Sequence, residues 1–203
     1  MTTAPALTLD SLQEVGAGAF FRPRDAEELG VSYYDLRKLV ERGEVEQVAR
    51  GLYRLASEEP TELYSLAAVC ARIPDAVVCL LSALQYHQIG TRLPHEVWIA
   101  IPHKARVPRL REFPLRVVRF SGVAAEYGIE EVTLEGVPAR VTNVARTVVD
   151  CFRFHRLVSR ETALEALRDV LQQSRTSTDA LWRAAEVLGA KSLIAPSLEA
   201  LSV

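Results

Sequence analysis

Apolar positions change their spacing along this chain, and each change marks a different kind of element. Leu9, Leu12 and Val15 recur at helical intervals and predict a helix over residues 8–15, closed by Gly16 or Gly18, with a short strand over 19–22. Residues 25–29 form a short helix whose opening turn carries acidic side chains, where the helix dipole favours them. Gly30 ends it, and the Ser32 hydroxyl can cap the next helix by accepting an orphan backbone N–H. Leu36, Leu39 and Val40 then return every three or four residues, an inward stripe packing beside Leu29. Gly43 closes this second helix, and Val45, Val48, Leu52 and Leu55 lie in two strands about an Arg50-Gly51 turn. Helix, turn, helix and ribbon follow one another within about thirty residues, the order of a winged helix-turn-helix.

A polar stretch ending in Pro60 reads as a linker, which divides the chain into residues 1–56 and 61–203. A helix over 61–73 turns Leu63, Leu66, Ala67 and Cys70 inward until Pro74 breaks it. Residues 77–80 make a short buried strand, and Ser82 can cap a helix running to Ile89. After Glu96 the period becomes two: Val97, Ile99 and Ile101 share one face, with Trp98 opposite. A strand over 115–120 follows, then a hairpin of 132–134 and 137–141 about Glu135-Gly136. Asn143 can cap a helix in which Val144, Val148, Cys151 and Phe152 recur, and helices over 159–173, 177–188 and 192–201 complete the tail. The fold class is α+β, a small mainly antiparallel sheet with helices around it and a helical C-terminal tail.

The inward stripe leaves Tyr33, Tyr34, Arg37 and Lys38 pointing away from the core, and such side chains suit base edges and phosphates in a major groove. With Ser32 at the helix start and Arg50 and Arg54 on the ribbon, they form a candidate DNA-binding set. Charge sets a condition on it. Residues 21–54 hold seven basic and seven acidic side chains, so Arg37, Lys38, Arg50 and Arg54 must face phosphate while Glu27, Glu28, Glu41 and Glu44 face away. The net charge of −2 gives no global pull towards a polyanion. A second local excess lies over 92–119, with seven basic residues against two acids. Its densest part joins two strands, and Lys104, Arg106, Arg109 and Arg111 are candidates for phosphate or partner contact, or else a solvated loop.

Other chemistry finds little footing. The longest apolar run, residues 76–81, is far short of the roughly 20 residues a bilayer needs, and residues 1–10 lack the marks of a signal peptide. Cys70, Cys79 and Cys151 are odd in number and lie in apolar surroundings, as reduced thiols of a cytoplasmic protein do. Nucleophile-elbow, Walker, zincin and Cys-x-x-Cys motifs are missing, and the G-A-G at 16–18 is too little for a phosphate loop. His87, His95, His103 and His155 are widely spaced, and Glu130-Glu131 point to opposite faces of a strand, so neither a metal site nor an acid–base pair is indicated. Arg146, Thr147 and Asp150 read as a structural ion pair or cap. No cofactor is implied.

From Asp25 the sequence reads D-A-x-x-L-G-V-S-x-x-x-L-R-x-L-V-E-R-G-x-V-E-x-V-A-R-G-L-Y-R, which resembles the N-terminal domain of AbiEi-family antitoxins from bacterial toxin–antitoxin operons. The shorter pieces S-A-L-Q-Y-H-Q-I-G (82–90), E-G-V-P-A-R-V-T (135–142) and A-R-T-V-V-D (145–150) resemble that family's C-terminal domain, so the likeness spans roughly residues 18–150. The resemblance implies a winged helix that binds inverted repeats in its own promoter. It also implies a C-terminal domain that neutralises a nucleotidyltransferase-like AbiEii toxin encoded alongside. Two other readings stay open. One is a ligand-responsive transcription factor without a toxin, marked by an apolar pocket of a few hundred Å3. The other is an antitoxin that modifies its toxin enzymatically, for example by phosphorylation.

Overall fold

The computed structural model describes residue 12 and residues 20–57 and 61–201. The helix anticipated over 8–15 and the G-A-G turn lie, apart from the buried Leu12, outside the described residues, as does most of the linker. The chain forms two compact units, Met1–Pro74 with Thr133–Ala139, and Asp75–Val132 with Arg140–Val203. The division therefore falls after Pro74, one helix later than the polar linker suggests.

In the first unit, α1 (Pro23–Glu28) begins earlier than acidic patterning indicates. Pro23 occupies its first turn, where a missing N–H costs nothing, and the Asp25 carboxylate accepts the Arg22 N–H at 2.7 Å. Leu29 follows the helix and is 36% exposed, so it does not join the inward stripe; Val31, 1% exposed, fills that place. Helix α2 (Tyr33–Glu41) is capped by Ser32, whose hydroxyl accepts the Asp35 N–H at 3.2 Å. Leu36 and Leu39 are its buried face, and Val40 is half-buried. At its end Gly43 takes φ +71°, its N–H going to the Val40 carbonyl while Glu44 N–H reaches the Leu39 carbonyl. That left-handed closure suits glycine, which has no Cβ to clash.

Strands β1 (Val45–Ala49) and β2 (Leu52–Leu55) pair antiparallel, with a register shift between Gln47 and Ala49. The strand foreseen over 19–22 reduces, within the described residues, to one bridge: Phe21 and Tyr53 exchange two backbone hydrogen bonds of 2.9 Å, their rings stacked 6.1 Å apart. Phe21, Leu36, Leu39, Val45 and Leu55 make the core behind α2. Helix α3 (Tyr64–Arg72) starts after a turn in which the Thr61 hydroxyl accepts the Leu63 N–H, and it buries Leu66 through Ala71.

The second unit holds β3 (Val77–Val78), α4 (Leu80–Tyr86), β4 (Val97–Pro102), β5 (Leu115–Phe120), β6 (Ile129–Leu134) and β7 (Val137–Thr142), the hairpin tip Thr133–Ala139 grouping with the first unit. Helices α5 (Val144–Arg153), α6 (Arg160–Gln172), α7 (Thr178–Val187) and α8 (Lys191–Leu201) follow. The five-stranded sheet has the order β5-β4-β3-β7-β6. Strand β3 runs antiparallel to β4 but parallel to β7, and β4 runs parallel to β5, so the sheet is mixed rather than mainly antiparallel. Parallel neighbours need a crossover, and residues 103–114 supply it without a helix, Pro108 and Pro114 opposing one.

Every residue from Val97 to Ile101 is buried, Trp98 included, so both faces of this strand are covered. Cys79, not Ser82, precedes α4; Ser82 lies within the helix and its hydroxyl accepts the Trp98 N–H at 2.9 Å. Glu135 and Gly136, at φ +48° and +79°, form the tight turn that matches strand twist. Asn143 caps α5 as anticipated, accepting the Arg146 N–H at 3.0 Å. Arg146 and Asp150 form a fully buried ion pair at 3.2 Å. The Arg146 guanidinium also donates to the carbonyls of Ala124 and Tyr127 and lies 4.2 Å over the Phe120 ring, while Arg153 adds a second donor to Asp150. Both charges are thus satisfied inside the fold, the condition for burying them at all.

Candidate nucleic-acid interface

Helical geometry sorts the outward side chains of α2 into rows four residues apart. One row is Tyr33, Arg37 and Glu41; its neighbour is Tyr34 and Lys38. Tyr33 is 55% and Tyr34 68% exposed, with Leu36 and Leu39 at 0% and 3% on the reverse, so the face singled out from the sequence is the solvent face. The Lys38 ammonium sits 4.2 Å over the Tyr34 ring, and Arg37 reaches Glu41 at 3.7 Å. Glu41, assigned from the sequence to the far side, therefore stands in the cationic row.

The first row runs beside the hairpin. Burial pushes the Tyr53 hydroxyl pKa up, nearby Tyr33 adds to the rise, and Arg37 opposes it. Tyr53 belongs to β2, so Tyr33 and Arg37 lie on the side of α2 that faces the ribbon. Arg50 is exposed at the ribbon turn. Arg54 is a correction. Only 7% exposed, it pairs with Glu46 at 2.9 Å and lies 5.0 Å from the Tyr64 ring, so it packs inside this unit and leaves the DNA-binding set. Ser32 is occupied as the cap, its hydroxyl also donating to the Asp35 carboxylate at 2.6 Å.

Neutrality of the module is resolved by local pairing. Arg24 meets Asp25, Arg42 meets Glu44 and Arg54 meets Glu46, which removes three cations from consideration and leaves Arg37, Lys38 and Arg50 outward.

In the second unit, Lys104, Arg106, Arg109 and Arg111 are exposed on the crossover. The crossover's first turn is held from β5. The Arg119 guanidinium donates to the carbonyls of Pro102 at 3.1 Å, Ala105 at 3.0 Å, and His103. Sequence reasoning gave Arg119 no such role, because the parallel register that brings it there is not visible locally.

The remaining chemistry is structural. Burial pushes the Cys70 thiol up to about 12 and those of Cys79 and Cys151 upward as well, which keeps them protonated. Among the described residues no group of three potential metal ligands comes together. An open groove of about 840 Å3 runs along α6, but its walls carry Arg160, Glu161, Glu165, Arg168 and Asp169. It is not the apolar pocket that a ligand-responsive factor calls for. Among the described residues no helix is long and apolar enough to cross a membrane.

Two short helices, a hairpin and an outward aromatic–cationic face are the parts of a duplex-reading regulator. Residues 14–56 match the family model described as transcriptional regulator, AbiEi antitoxin, so the resemblance read from the sequence holds over this module. The match supports an antitoxin or regulator role. A crystal structure of the RV2827C protein from Mycobacterium tuberculosis shares the fold, with a TM-score of 0.61 at 16% identity, covering 97% of this chain and 80% of that one. No curated protein matches the chain.

Proposed function

We propose that this protein is the antitoxin of a bacterial toxin–antitoxin pair and represses its own operon. In this reading residues 20–57 act as a winged helix-turn-helix on inverted repeats in the promoter, with α2 in the major groove and the β1–β2 ribbon as the wing. The observation that carries it is the two-sided build of α2: leucines sealed behind, and Tyr33, Tyr34, Arg37 and Lys38 open to solvent in front. The family match over the same residues agrees with it. The second unit is assigned to neutralising a nucleotidyltransferase-like toxin encoded beside it. Lys104, Arg106, Arg109 and Arg111 are assigned to an anionic contact of that unit, with phosphate or with the partner.

A reporter driven by the chain's own promoter tests the repressor half. Wild-type protein should silence it, and the double variant Arg37→Ala/Lys38→Ala, folded by circular dichroism, should release it. Full repression by that variant rules out α2 as the reading helix.

A further inference from the structure

Resting on that reading, the two rows of α2 allow a finer assignment. A duplex that takes a helix in its major groove and a wing beside it runs one phosphate strand between the two. Side chains on the wing-facing row then meet phosphate, and those on the neighbouring row meet base edges. We infer that Lys38, steadied by Tyr34, is the base-reading side chain, while Tyr33, Arg37 and the wing's Arg50 hold the phosphate strand.

Three features support the division. Tyr33 and Arg37 lie along β2, beside Tyr53, so they border the space between helix and wing. Tyr34 is the more exposed of the two tyrosines, 68% against 55%, which puts its row furthest forward. The Lys38 ammonium rests 4.2 Å over the Tyr34 ring, so a flexible side chain is held in one place before any ligand arrives. A compact cation with three donors suits the O6 and N7 acceptors that guanine presents in the major groove. Arg37 is differently placed, its guanidinium shared with Glu41 at 3.7 Å, and phosphate can displace that carboxylate as partner.

The test uses the full chain on a pool of duplexes with a randomised core, followed by titrations of the selected duplex at several salt concentrations. Wild type should enrich a motif with a fixed guanine. Lys38→Ala should lose about tenfold or more of discrimination at that guanine while still binding DNA. Arg37→Ala should keep the motif, weaken binding to all duplexes alike, and flatten the plot of log K against log salt by about one. A motif that survives Lys38→Ala, or that changes in Arg37→Ala, overturns the division but leaves the proposed function standing. Wild-type protein that retains no duplex at all overturns both.

Discussion

His87 shows at the level of one residue how the second unit senses pH. Its ring is buried, Nε2 donates to the Thr142 carbonyl at 2.7 Å, and its own carbonyl accepts the Arg175 guanidinium at 2.7 Å. Burial lowers its pKa and Arg175 adds to that, while the Thr142 carbonyl and Glu130 act in the opposite sense without restoring it. The unfolded chain therefore binds this proton more readily than the folded one. The stability that neutral His87 contributes is complete above the unfolded value of about 6.5 and is lost as pH falls through it towards the folded pKa. Urea midpoints measured at pH 7.5 and 5.5 should fall further for wild type than for His87→Gln, which keeps a donor for Thr142. Equal falls in the two proteins would contradict this. Ser32 and Arg54 mark what single residues disclose in advance. A cap depends on neighbours three positions away, so Ser32 was legible. Arg54 is covered by Tyr64 from a helix beyond the linker, and nothing near it in the sequence announces that.

Helix α2 is the element on which affinity turns, and it carries its own brake. Glu41 neutralises Arg37 along the row that faces the wing. An exposed pair of this kind is worth about 0.2–1 kcal/mol, so freeing Arg37 should tighten DNA binding by roughly twofold to fivefold. Glu41→Gln, compared with wild type by fluorescence anisotropy on promoter DNA, should show that gain at low salt and lose it at high salt. A variant that binds more weakly than wild type would place this row away from phosphate. Elements were read from the sequence with uneven success, and the reason is the range of the forces involved. Helix α2, the Arg50-Gly51 turn and the Glu135-Gly136 hairpin are fixed by caps and by glycine, which act locally. Alternation in β4 implied one covered face, yet α4 and the other helices leave no residue from Val97 to Ile101 exposed. The parallel pairing of β4 with β5 was hidden too, because a crossover without a helix resembles the loop of an ordinary hairpin.

Over the whole molecule the chain separates into two compact units, and the two proposed tasks separate with them. The net charge of −2 conceals this arrangement, since the cations free to meet an anion are few and local: Arg37, Lys38 and Arg50 in one unit, the crossover set in the other. The central claim is that the face of α2 carrying Tyr33 through Lys38 meets a duplex. It is tested most directly by titrating promoter DNA with wild type and with Arg37→Ala/Lys38→Ala over a range of salt. The account predicts weaker binding by the double variant at every concentration and a slope shallower by about one. Unchanged affinity and unchanged slope would contradict it.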